Sequence, residues 1–114
     1  MALTEARRTG EFLLSEASGT RSREEVTIAA AAGALAAGTV MSKLTSGGKW
    51  VEYDDAGTDG TEVAAGILYA PVADSAADQK AVMLVRDCEV TGIRLTGSNA
   101  GAVTDLLAHG VIVR

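Results

Sequence analysis

Apolar residues fall along this chain in short runs set off by Gly, Asp, Ser and Thr, a spacing that predicts strands more often than helices. Val26, Thr27 and Ile28 make one β-prone run, and a turn is expected after it in the Ala-rich residues 29–37. Residues 39–45 (TVMSKLT) and residues 49–53 make two more, and Gly47 and Gly48 between them predict a hairpin, because tight hairpin turns need positive φ. Val63, Ile67, Leu68 and Tyr69 resume the strand character. Gly66 inside that run fits a bulge or a close backbone approach, and Pro71 ends it. Residues 73–79 read as a polar turn holding one helical turn, residues 82–85 as a wholly apolar strand, and residues 88–96 as another hairpin built on Val90, Ile93 and Leu95. One helix is expected near the C-terminus. Val103, Leu106 and Leu107 stand at i, i+3 and i+4, Ser98 or Asn99 supplies an N-cap, and Gly110 sits where a helix ends. Residues 111–113 then form a closing strand.

Residues 49–71 hold the only Trp, both Tyr and the only Pro. They read as a two-strand unit joined by the acidic run 54–61. Asp55, Asp59 and Gly60 fall at the first, fifth and sixth positions of a twelve-residue calcium loop, but the third position is Gly57 and the twelfth is Gly66. Two required oxygen ligands are missing, so a solvated turn is the expected reading. Trp50, Tyr53, Ile67 and Leu68 are the expected anchors of the core.

Catalytic signatures are thin. His109 is the only imidazole, and its place at the end of a helix suits the negative pole of the helix dipole. Ser42, Ser46 and Ser98 lack a nucleophile elbow, Cys88 lacks a neighbouring base, and no phosphate-cradling glycine pattern occurs. Residues 38–44 (GTVMSKL) superficially resemble the hairpin on which lipoyl and biotinyl domains carry a modified Lys. Lys43 is flanked by Ser42 and Leu44, however, which are not the neighbours such domains use. Neither an enzyme nor a cofactor or metal carrier is expected.

Composition narrows the partners. With 114 residues the chain makes one domain, which buries roughly two-thirds of its unfolded surface. A net charge of −5 argues against direct nucleic-acid binding, which needs a basic face to displace counterions. A lone Cys forms no internal disulfide, and no apolar run is long enough for a membrane span or an export signal. Residues 1–25 hold four Arg and five Glu around a single apolar cluster, Phe12, Leu13 and Leu14. They are expected to be a mobile arm, with a marginal helix over residues 3–8, ahead of a β-rich domain at 26–114. An extended segment over residues 10–15 suits either addition to the edge of a partner's sheet or, equally, packing on its own domain or fraying.

The order of these segments carries a resemblance. GEFLLSEASGTRSREEVTIAA is followed by LAAGTVMSKLTSGGKWVEY, an Asp-Gly turn and VAAGILYAPV. Over residues 10–95, most clearly 35–68, this resembles the head decoration proteins of lambda-like tailed phages, whose ending in a helix and a short strand is similar too. Pattern and resemblance together imply a mainly β fold: a small β-barrel or β-sandwich-like domain with one short C-terminal helix and an extended N-terminal arm. The resemblance further implies a homotrimer on the outer surface of the virion, at three-fold and quasi-three-fold positions of the expanded shell, bracing it against packaged DNA. Such a protein is made in the host cytoplasm, takes no cofactor, and has the major capsid protein as its partner, with no nucleic acid or membrane. Carried over by position, the capsid-binding arm comprises Gly10, Glu11, Phe12, Leu13, Leu14, Ser15, Arg21 and Arg23, with Phe12 and Leu14 as anchors and the two Arg facing acidic shell groups. The arm is richer in charge and poorer in Pro than in the family's prototype. A β-rich trimerisation or adaptor module of a tail or neck is the alternative, and a lipoyl-like or biotinyl-like carrier domain the more distant one.

Overall fold

A computed structural model describes residues 8–19, 21–30 and 33–114. Its centre is a hairpin. Strands β3 (Val40–Lys43) and β4 (Trp50–Glu52) pair antiparallel with Met41 opposite Glu52 and Lys43 opposite Trp50. The turn between them places Gly47 and Gly48 at φ 85° and 68°, where a Cβ would be strained, as the Gly-Gly pair predicts. On its other side β3 pairs with β5 (Gly66–Leu68), so the two strands flanking the acidic run do not meet each other. The expected two-strand unit is instead a pair held apart by β3. The connection crosses β3 because β3 captures it, through Ser42 Oγ donating to Thr61 O at 3.0 Å and Ala65 N donating to Met41 O at 2.9 Å.

Strand β6 (Gln79–Leu84) extends the sheet from β5 and pairs over six residues with β2 (Arg23–Ile28). A parallel bridge from Ile28 to Trp50 closes the barrel in the order β2-β4-β3-β5-β6. Gly66 permits that closure. A Cβ there would meet Leu84 O at 3.0 Å and Trp50 Cζ3 at 3.3 Å, so the close approach expected from the sequence is present.

Against the barrel lies a second sheet in the order β1 (Leu13–Glu16), β7 (Cys88–Val90), β8 (Val111–Val113), with helix α1 (Ala100–Ala108) between β7 and β8 in sequence. The hairpin expected over residues 88–96 does not form. β7 takes β1 and β8 as neighbours, and Gly92–Arg94 coils into a 3-10 turn in which Gly92 N donates to Arg114 O at 3.1 Å. Asn99, not Ser98, caps α1, its Oδ1 accepting from Ala102 N at 2.8 Å, and Gly110 follows the helix at φ 84°. Ala102 and Leu106 are the buried face, while Leu107 points outward. Residues 73–78 form a loop without a helical turn, and Gln79 already begins β6.

Residues 40–42 of β3, all of β5 and the last two residues of β6 are buried on both faces. Val40, Ile67 and Leu84 face outward toward α1 and the small sheet, whereas Met41, Leu68 and Met83 face the barrel interior with Trp50 and Ile28. Of the expected anchors, Trp50 and Leu68 therefore belong to the interior cluster, and Ile67, with Tyr53 at its margin, to the outer one. The outer cluster includes Phe12, fully buried. Residues 10–25, expected as arm, thus supply Phe12, all of β1 and the start of β2 to the folded body in this structure; the expected helix over residues 3–8 lies outside the described residues apart from Arg8. Truncating Phe12 to Ala opens a cavity between barrel and sheet and should cost about 3–5 kcal/mol. Urea denaturation of the variant measures it, and an unchanged midpoint would contradict this burial.

Candidate functional site

The barrel closes on itself, most thinly between β2 and β4, whereas the three-stranded sheet has two edges, and β1 forms one of them. An edge strand presents a row of N–H and C=O groups to any extended partner. On β1 the register slips between Leu13 and Ser15, so this edge is bulged at Leu14. Leu14 is 56% exposed, while Leu13 lies partly against the outer cluster. The apolar triplet is therefore divided among three roles: Phe12 plugs the core, Leu13 seats the strand, and Leu14 faces solvent.

Several contacts fix this strand to the barrel. Gly10 N donates to Tyr69 O at 3.0 Å, and at φ 66° with Tyr69 Cε1 3.1 Å from a would-be Cβ, Gly10 has no room for a side chain. Glu11 pairs with Arg94 at 3.1 Å, and Ser15 Oγ donates to Glu89 Oε2 at 2.9 Å. Arg23 grips Glu16 with two bonds of 2.6 and 3.1 Å, and its guanidinium lies 4.2 Å over the Tyr69 ring. Its charge is thus spent inside the molecule. Arg21 approaches Asp87 only at 3.5 Å with both side chains well exposed, a pair of small energetic weight, which leaves its guanidinium available.

The turn joining β1 to β2 is anchored on one carbonyl. Asp87 O accepts from Ala17 N at 3.1 Å and from the buried Ser22 Oγ at 2.9 Å, and Ser22 Oγ also accepts from Ala17 N at 3.0 Å. Asp87 holds φ 50°, the one positive value at a non-glycine residue among those described. Ser22 had no signal in the sequence, since nothing distinguishes its hydroxyl from that of a surface serine.

The acidic run turns inward on itself. Asp59 Oδ1 accepts from Thr61 Oγ1 at 2.6 Å, which with the Thr61 N–H holds its carboxyl below the ordinary value; Asp54 accepts from Ala56 N and Glu62 from Gly60 N. Tyr53 ties the run to α1, donating to Asp55 at 2.9 Å and lying 3.2 Å from Asn99 Oδ1. Among the described residues no three His, Cys, Asp or Glu converge in a metal-binding arrangement, and no helix is long and apolar enough to cross a membrane. His109 is the C-cap of α1, and Lys43 is exposed at the end of β3.

Compared with known families, residues 2–111 match the model of the bacteriophage lambda head decoration protein D family. The chain belongs to that family. No curated protein matches it. A decoration protein associates with the phage capsid. Leu14 and Ser15 on β1 and Arg21 in the turn after it face solvent, while Phe12 and Arg23, two of the eight residues expected to meet the capsid, are directed into the body.

Cys88 lies within the outer cluster, where burial, then the Glu16 and Asp87 carboxylates, push its thiol up to about 11 from an ordinary 9.0. Folding therefore favours the neutral thiol. Its contribution is whole below pH 9.0, where the unfolded thiol is also neutral, and is lost as the pH rises toward 11. Urea midpoints should fall over that range more steeply for the natural chain than for Cys88→Ala, and equal slopes would contradict the assignment.

Proposed function

We propose that this chain assembles as a trimer on the outside of the expanded phage head, at three-fold and quasi-three-fold positions, and braces the shell against the pressure of packaged DNA. The observation that carries the reading is the family match, which runs from residue 2 to residue 111. The role is mechanical and requires no reaction. Each trimer ties several copies of the major capsid protein together, and many repeats of a modest contact give a large collective stabilisation, because detaching one contact leaves its neighbours engaged.

The contact surface we assign is the free edge of β1. Gly10, Phe12 and Leu13 set the strand in place, Leu14 supplies an exposed apolar anchor, and Arg21 offers a cation to an acidic group of the shell. An extended capsid segment beside β1 would gain main-chain hydrogen bonds from the edge and bury Leu14. This refines the arm contact expected from the sequence, in which Phe12 shared the anchoring.

Purified protein should bind expanded heads saturably and unexpanded heads little, and the mass of the bound species should correspond to trimers. Binding to neither form overturns the reading. Leu14→Asp, at an exposed position, should leave the melting temperature nearly unchanged and weaken head binding by about tenfold or more; full binding by that variant moves the contact away from β1.

A further inference from the structure

The barrel has a weak seam. β2 pairs with β6 over six residues but with β4 only through Ile28 and Trp50, supported by Ala29 N donating to Trp50 O at 3.0 Å. Val85 N donates to Ser22 O at 2.9 Å, which fixes the phase of the β2–β6 ladder. Paired residues alternate in an antiparallel ladder, so Glu24, Val26 and Ile28 direct their main-chain groups toward β6. Arg23, Glu25 and Thr27 direct theirs the other way, along an edge that β4 takes up only at its far end.

Two cavities, about 470 and 460 Å3, lie along this edge, and both are lined by Glu24, Lys43 and Trp50. They form one groove. Trp50, only 5% exposed, is its floor. Two ion pairs border the groove, Arg86 with Glu24 and Lys49 with Asp78. Lys43, common to both cavities, has no carboxylate partner among the described residues, and Glu25 at one end has no cation.

We propose that this groove receives an extended segment of the head shell protein that carries a carboxylate opposite Lys43. The inference rests on the decoration reading and adds a second contact, distinct from the β1 edge. A strand laid along β2 satisfies the main-chain groups of Arg23 and Glu25, covers Trp50, and supplies the countercharge that Lys43 lacks. Both unmatched charges point to a partner segment of mixed sign, acidic beside Lys43.

Trp50 is the only tryptophan, so its fluorescence reports on the groove alone in the free protein, and heads assembled from shell protein labelled with a non-fluorescent tryptophan analogue keep that signal clean. With expanded heads, Trp50 emission should shift and its quenching by acrylamide should fall. Lys43→Glu should weaken head binding by about tenfold, and Lys43→Gln by less, with melting temperature and oligomeric mass unchanged. Natural protein that binds heads with Trp50 emission unmoved, together with full binding by Lys43→Glu, overturns the groove and leaves the decoration reading standing. A Lys43→Glu variant altered in oligomeric mass assigns the groove to a second copy of this chain and also overturns the proposal. Failure of the natural protein to bind heads at all removes the decoration reading, and the groove contact with it.

Discussion

The whole arrangement depends on one patch of sheet, β3 with β5 and the end of β6, being buried on both sides. β3, β5 and β6 put Val40, Ile67 and Leu84 on one face and Met41, Leu68 and Met83 on the other, so each strand closes the barrel and at the same time supports the small sheet. A sheet exposed on one side would show apolar and polar residues in alternation; here both faces need apolar cover. The two clusters therefore share their walls. Loss of packing in one loosens the strands that line the other, and barrel, helix and small sheet are bound into one unit despite having separate interiors.

That shared wall also decides which parts of the chain remain free to bind. The outer face is covered by α1, β7 and Phe12, and the interior is filled by Trp50 and its neighbours. Open main chain remains at the margins: along the bulged β1, and along the side of β2 where the barrel barely closes. Both surfaces offer backbone hydrogen bonds with one notable side chain each, Leu14 in the first case and Lys43 in the second.

Much of the fold could be read from the residues, since periodicity reports which positions are buried. The β3–β4 hairpin follows from Gly47 and Gly48, the tight packing at Gly66 from a glycine within an apolar run, and α1 with its following strand from the spacing of Leu106 and the Asn99 and Gly110 boundaries. What periodicity does not encode is which strand lies beside which. The segments at Trp50 and at Ile67 have strand character in any topology, and it is the contacts of Ser42 and Met41 with the crossing loop that place β3 between them. Phe12 was harder still. Its neighbours are charged, and composition averages a short segment into an arm, whereas a single aromatic ring that fits the gap between barrel and sheet is enough to dock it. The same averaging gave Arg23 an outward role, although Glu16, seven residues earlier, and Tyr69, far along the chain, hold it inward.

The small sheet has one more consequence, for the order of events during synthesis. Its strands come from residues 13–16, 88–90 and 111–113, so the first and last strands of the chain share a single neighbour, β7. During translation Phe12 emerges early and waits for Val111 to complete the cluster around it. Contacts so distant in sequence form late, because the intervening loop must first be closed. A nascent chain held on the ribosome short of β8 leaves that cluster unfinished, so the outer layer can be completed only once residues 111–113 have been made.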